Sequence, residues 1–311
     1  MIQTASKTFF STVAGSSGLK SLASRYGMRG PRSFARRFIA GETVEEAIAA
    51  ARIIEASGLQ QTLDLLGESV ANMAEADAAT RAYIEVIDKI VASGVGRNIS
   101  LKLTQLGLTL DRATCVDNLR RILDVAQQHG FFVRIDMENS PFTQVTLDVF
   151  ETMWEQGYRN VGVVLQSCLS RSVADAKRMN ELGARVRIVK GAYKEPRAVA
   201  YQEKEQVDAA FLVITKLLLS GGNYPAIATH DPAMITAARA YAKEHGIAHD
   251  KFEFQMLFGI RRDLQAGLSS EGYNVRVYVP FGREWFPYFM RRLGERPANI
   301  GFVVRGILSE R

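Results

Sequence analysis

Two stretches decide how this sequence folds: Phe131-Phe-Val-Arg-Ile-Asp136 and Asn160-Val-Gly-Val-Val-Leu-Gln166. Each is a short run rich in Val and Ile, each ends on a polar residue, and a helix-like segment over 143–156 lies between them. Near-continuous apolar runs of this length suit strands buried on both faces of a parallel sheet. Outward from this pair the same unit recurs at 61–65, 98–103, 185–190, 225–229, 252–255 and 274–278. Eight such units in 311 residues predict an α/β fold, a (β/α)8 TIM barrel. In that architecture the chemistry sits at the carboxyl ends of the strands, where the polar residues fall.

Helix signals fill the intervals. Thr43-Val-Glu-Glu46 is a capping box that opens a helix reaching Ala56. Long helices follow at about 73–93 and 116–129, with others at 143–156, 172–182 and up to 220. Asp231-Pro232 opens another, with Asp as N-cap and Pro at the first helical position. Segments 260–268 and 283–293 supply the last two barrel helices, and 300–308 a final one.

The composition excludes several classes of function. No stretch approaches the roughly 18 uncharged apolar residues of a membrane span. Cys115 and Cys168 fit neither a CxxC motif nor a disulfide framework, and read as reduced thiols of a cytoplasmic protein. Four histidines without an HExxH motif argue against a metal site. The net charge of +6 is uneven: no acidic residue precedes Glu42, whereas Lys7, Lys20, Arg25, Arg29, Arg32, Arg36 and Arg37 do. Residues 1–41 therefore read as a basic helical leader and 42–311 as the barrel. The leader resembles a transit peptide, suits attraction to anionic lipid at the inner face of the cytoplasmic membrane, and equally suits surface helices with Phe9, Phe10 and Val13 turned inward. No nucleic-acid module is visible.

The polar residues at the strand ends are Glu68, Lys102, Asp136, Glu138, Gln166, Arg187, Lys190, Thr229, His230, Gln255 and Tyr278. Any one alone reads as a solvated loop residue. As a set, one at nearly every strand end, they read as a site. On the last barrel helix Tyr288, Arg291, Arg292 and Glu295 share one face, and adjacent guanidiniums suit a carboxylate or phosphate. Neither GxGxxG nor GxxxxGK[ST] occurs, so a dinucleotide is not held in the Rossmann manner. These residues alone describe a barrel enzyme for a small anionic substrate. A Schiff-base or phosphate-handling lyase using Lys102 or Lys190 remains open, as does a non-catalytic scaffold.

Several ordered motifs then resemble the proline dehydrogenases, from about residue 40 to the C-terminus. They are Arg187-Ile-Val-Lys-Gly-Ala-Tyr193, Ala228-Thr-His-Asp231, Phe252-Glu-Phe-Gln-Met-Leu257, Tyr278-Val-Pro-Phe-Gly282 and Tyr288-Phe-Met-Arg-Arg292. Leu63-Asp-Leu-Leu-Gly-Glu68, Ser100-Leu-Lys-Leu103 and Arg134-Ile-Asp-Met-Glu138 support them. The resemblance implies a distorted barrel with N-terminal helices, FAD at its carboxyl face and the last barrel helix over its mouth. It implies oxidation of L-proline to 1-pyrroline-5-carboxylate, with electrons passed to a membrane quinone. By motif, Lys102, Arg291 and Arg292 would bind the proline carboxylate, and Tyr278 and Leu257 would shape the ring pocket. Arg187 would lie by the flavin with Asp136 beside it as the catalytic pair. Gln166 would meet the flavin ring. Met137, Lys190, Gly191, Ala192, Thr229, His230, Gln255 and Glu295 would hold other parts of FAD, and Glu68 would gate the pocket.

Overall fold

A computed structural model describes Met28, residues 33–67 and residues 69–295, with side chains left undescribed at residues 34 and 293–295. The expected helices of the leader before Met28, the 300–308 helix and Glu68 lie outside the described residues.

Eight parallel strands close into a barrel in sequence order. They are β1 (Gln60–Leu65), β2 (Asn98–Leu101), β3 (Phe132–Ile135), β4 (Val161–Gln166), β5 (Arg185–Val189), β6 (Ala226–Ala228), β7 (Glu253–Leu257) and β8 (Asn274–Phe281). All eight expected runs are strands. The helices are α1 (Val44–Ala56), α2 (Met73–Ser93), α3 (Arg112–Gln128), α4 (Thr143–Glu155), α5 (Ser172–Leu182), α6 (Lys204–Gly221), α7 (Pro232–Glu244), α8 (Arg262–Ser270) and α9 (Trp285–Glu295).

Local chemistry explains the boundaries. Thr43 Oγ1 accepts from the Glu46 N–H at 3.3 Å, and Glu46 Oε2 accepts from the Thr43 N–H in return, so the capping box is complete. Asp231 caps α7 by accepting from Ala233 N–H at 3.0 Å. α3 begins earlier than the apolar pattern suggests because Asp111 accepts from Thr114 N–H and sets the start at Arg112. β2 stops at Leu101 because Leu103–Leu106 turns into a 3-10 helix.

β8 differs most from expectation. It runs beyond Tyr278 through Pro280 to Phe281. β7 ends opposite Tyr278, so from there β8 pairs only with β1, and the Pro280 carbonyl accepts from Ala40 N–H at 2.9 Å. A missing N–H costs nothing on that unpaired side.

The strand registers also correct the picture of strands apolar on both faces. Outward residues such as Leu63, Val133, Val163, Ile188, Phe254 and Val277 are buried against the helices. Inward positions are largely polar: Thr62 pairs with Tyr278, Asp64 with Ser100, Ser100 with Arg134, and Gln255 with Arg276. The barrel therefore encloses a polar column inside an apolar wall.

α1 packs on β1 and β8, the outer face that a regular repeat would give to the helix after β8. With that face covered, α9 is free to sit at the barrel mouth. Its apolar side, Trp285, Phe286, Phe289 and Met290, packs in a second core with Met28, Ala35, Phe38, Ile39 and Leu66. Phe38 and Phe289 rings lie 6.1 Å apart, and Trp285 Nε1 donates to Glu42 Oε1 at 3.1 Å. At about 1.5–3 kcal/mol per buried large side chain, this seam anchors the helix firmly. Gly259 fits the same seam: at φ +72 a Cβ would lie 1.7 Å from the Arg37 carbonyl oxygen.

Candidate active site

A cleft of about 540 Å³ opens at the carboxyl ends of the strands, beneath α9. Small-molecule pockets span roughly 300–1,000 Å³. Every residue expected at the site lines it except Glu138; Glu68, which is outside the described residues; and Glu295, whose side chain is not described. Tyr288, Arg291 and Arg292 all face the cleft, as their helical spacing predicts. Arg292 lies over the Tyr288 ring at 5.1 Å.

The floor is a charge cluster from five strands. Arg187 projects inward from β5 and is 4 % exposed. Its Nη1 donates to Asp136 Oδ1 at 2.6 Å and its Nη2 to Ser100 Oγ at 3.1 Å. Tyr278 OH donates to Asp136 Oδ2 at 2.7 Å, and the Arg187 guanidinium sits 5.3 Å from the Tyr278 ring centre. Lys102, just past β2, reaches Asp64 Oδ2 at 3.5 Å and Asp136 Oδ2 at 3.8 Å. Burial alone would favour neutral Lys102, but the Asp64 and Asp136 carboxylates outweigh it and raise its pKa. Burial, reinforced by the same two carboxylates, pushes the Tyr278 phenol well above its usual value, so it stays a hydrogen-bond donor. An amine nucleophile needs a lowered pKa; Lys102 is driven the other way, which argues against Lys102 as the amine of a lyase.

The opposite wall has a different character. Lys190 pairs with Asp231 at 2.7 Å and Asp208 at 2.5 Å. The hydrogen bond from Lys190 is the main reason the Asp231 carboxyl is held below its usual pKa. His230 Nε2 accepts from Leu257 N–H at 2.9 Å, which fixes the end of β7. Thr229, His230 and Asp231 stand at the N-terminus of α7, the positive end of a helix dipole. Gly191 is in the left-handed region at φ +111, and a Cβ there would lie 2.4 Å from Cys168 Sγ. Only glycine lets the chain turn against the cleft at that point.

Some placements differ from the sequence reading. Tyr278 is within β8 rather than at its end, so it rises from the barrel interior instead of the rim. Glu138 turns away from the cleft: its carboxylate accepts from Thr104 N–H and Oγ1 at 3.3 and 2.8 Å. Its carbonyl accepts from Gln166 Nε2 at 2.8 Å and so orients that side chain. Tyr193, Asp231 and Arg261 also line the cleft. Tyr193 and Asp231 stand inside motifs quoted above, Asp231 as a helix cap, without having been assigned to the site. Arg261 carried no signal in the sequence, and it caps α8 at a left-handed φ of +50.

Arg187 Nε, a donor, and Gln255 Oε1, an acceptor, are buried polar atoms at this site that bond no described residue. Both residues line the cleft. Buried polar groups are nearly always hydrogen-bonded, so these two, lining a cleft, have capacity for a ligand's hydrogen bonds.

Comparison with known proteins supplies the family. The profile described as proline dehydrogenase matches residues 47–305. Proline dehydrogenase 1 of Bacillus subtilis (strain 168) is 43% identical over 281 residues, covering 90% of this chain and 93% of that one. The proline dehydrogenase of Deinococcus radiodurans is 43% identical over 89% of this chain and 91% of its own length. The crystal structure of proline utilization A from Bdellovibrio bacteriovorus, inactivated by N-propargylglycine, superposes with a TM-score of 0.78 at 27% identity. That alignment covers 84% of this chain and 32% of the other, so the chain spans about a third of that larger protein. A match of this extent, on a closed barrel whose mouth carries the arginine pair, establishes that the chain belongs to the proline dehydrogenase family.

Proposed function

We propose that the chain oxidises L-proline to 1-pyrroline-5-carboxylate with FAD as its cofactor, the first step of proline breakdown to glutamate. The observation that carries this reading is the meeting in one cleft of three cations, Lys102, Arg291 and Arg292, with buried Arg187, whose Nε bonds no described residue. FAD, when bound, supplies the acceptor for the two electrons leaving the substrate.

The residues present fit that cofactor. Arg187 Nε and Gln255 Oε1 are a buried donor and acceptor without described partners, and Gln166 is held pointing by the Glu138 carbonyl. Met137, Gly191, Ala192, Thr229, His230 and Glu295 would hold the rest, with Lys190 and the start of α7 toward the phosphates. The protein's own work is positioning. Lys102, Arg291 and Arg292 fix the proline carboxylate, while Tyr278 and Leu257 set the ring plane; such placement supplies a large share of a barrier. Asp136 holds Arg187 through one hydrogen bond and Tyr278 through another, so both keep their orientation during the reaction. The Arg187 guanidinium favours negative charge developing next to it. Loss of the substrate amine proton is left to solvent or a neighbouring group. Glu68 would gate the pocket.

The electron acceptor we assign is a membrane quinone, reached from the cytoplasmic side through peripheral contact. The acid-free, basic stretch before Glu42 supports attraction to anionic lipid. No described helix is long and apolar enough to cross a membrane.

Absorbance of the purified protein, before and after L-proline without oxygen, tests the core of this. A flavin spectrum that bleaches on addition of proline is the expected result. A protein reconstituted with FAD that shows no bound flavin would overturn it.

A further inference from the structure

Asp64 belongs to a quoted motif but was assigned no role, and it does not line the cleft. It lies on β1 directly beneath the cluster, with no exposed surface. Its register neighbours are Ser100 on β2 and Pro280 on β8, neither of them cationic. Oδ2 lies 3.5 Å from Lys102 Nζ, and Oδ1 bonds no described residue. Burial raises its pKa and the Asp136 charge adds to the rise, while Lys102 and the Tyr278 hydroxyl hold it down; a buried carboxylate so poorly compensated is expensive, which calls for a reason.

The geometry of Asp136 supplies one. Its two oxygens are taken by Arg187 at 2.6 Å and by Tyr278 at 2.7 Å, with Lys102 only at 3.8 Å. Asp136 is committed to orienting those two groups. Asp64 forms an ion pair with Lys102 and is the nearer carboxylate to it. Paired with Asp64, Lys102 lines the cleft.

We propose that Asp64 is a positioning residue for carboxylate recognition: from beneath the cleft it keeps Lys102 charged and aimed at the substrate carboxylate. This rests on the reading of Lys102 as a carboxylate ligand. The groups acting on Lys102 come from every side: Asp64 from β1, Asp136 after β3, Tyr193 after β5 and Arg291 on α9. Burial and Arg291 favour the neutral amine; Asp64, Asp136 and Tyr193 oppose them. Without the Asp64 charge, burial and Arg291 act against a carboxylate that is already engaged elsewhere. Lys102 should then hold its proton less firmly, and anion binding should weaken as pH rises.

The test uses FAD-loaded enzyme and cyclopentanecarboxylate, which has the ring and carboxylate of proline but no amine to titrate. Its dissociation constant is read from the flavin spectrum between pH 6.5 and 9.5. The wild type should bind with little change across that range. Asp64→Asn should weaken binding at least tenfold more at the alkaline end than at the acid end, while the turnover number with saturating proline falls far less than KM rises. In a Lys102→Met background the Asn substitution should add little. Asp64→Glu, which restores the charge one methylene away, should bind more weakly but with the flat profile regained; it reads the same quantity if the Asn variant does not accumulate. Parallel wild-type and Asn profiles, or an equal loss in the Lys102→Met background, would overturn the proposal while leaving proline oxidation standing. A wild type that bleaches with proline yet ignores the carboxylate probe would overturn this proposal through its premise about Lys102. A wild type that does not bleach would remove the functional reading as well.

Discussion

The polar column inside the barrel has two storeys built from the same kinds of side chain and finished differently. In the lower one, Arg276 grips Glu253 through Nε at 2.9 Å and Nη2 at 2.9 Å, and its Nη1 donates to the Gln61 carbonyl. Arg134 donates to the Val163 and Arg185 carbonyls at 3.0 and 2.6 Å. In the upper one, Arg187 meets Asp136 through a single nitrogen, and its Nε bonds no described residue. An arginine–carboxylate pair below is a closed structural unit. The pair above is left with capacity facing the cleft. Residue type therefore does not separate a structural buried ion pair from a functional one; the state of its remaining hydrogen-bonding groups does.

Substitutions that treat the two storeys alike should break the comparison if it is wrong. The largest effect is expected from Arg187→Met, which should cut kcat/KM for proline about 10²–10³-fold, the range for losing one donor at developing charge. Thermal unfolding should show the variant still folded. Arg276→Met should do the reverse, costing about 3–5 kcal/mol of stability by stranding a buried carboxylate. Its kcat per flavin-loaded molecule should stay near wild type, which steady-state kinetics at a temperature below the new midpoint would check.

Acidity sharpens the contrast further. Burial would raise the Glu253 pKa, but Arg276 outweighs it and the folded-state value lies below the usual 4.5. A depressed folded pKa gives stability that is present above the unfolded pKa and lost as pH falls through the folded one. Wild-type melting temperature should therefore decline on the acid side of about pH 4.5, and Glu253→Gln should flatten that limb while lowering the neutral plateau. The smallest effect belongs to the seam over the mouth. Trp285→Phe removes the hydrogen bond to Glu42 and one ring of a fully buried indole, together worth about 1–3 kcal/mol. Proline KM should rise by no more than about fivefold with kcat unchanged.

Much of the fold was legible because outward residues dominate the hydrophobic signal. Val161, Val163 and Leu165 announce β4 whatever lies between them. The same dominance hid the column: Glu253 and Arg276 look like ordinary polar neighbours of apolar runs, and only register brings them together from β7 and β8. Arg291 and Arg292 were legible because helical spacing puts them on one face with Tyr288. Arg261 was not, since its place at the cleft depends on a left-handed turn that no glycine or asparagine marks. Nor was the seam. Ala35, Phe38 and Ile39 lie in a stretch read as basic leader, yet they pack on α9, because that contact joins segments some 250 residues apart that no local pattern connects. Asp64 sat in plain view within a motif, and only its distance from Lys102 separated it from its neighbours.

The β1–β8 pairing has a consequence for how the protein is made. Barrel closure joins Gln60–Leu65 to strand partners ending at Phe281, so the two edges of the wall are separated by most of the chain. At about 5–20 residues per second of synthesis, β1 waits on the order of tens of seconds for its neighbour. Through that interval the β1 edge and the apolar face of α1 are exposed to anything else that pairs or sticks. Yield in a fast-translating host should then depend on chaperone supply and temperature more than on the stability of the finished enzyme.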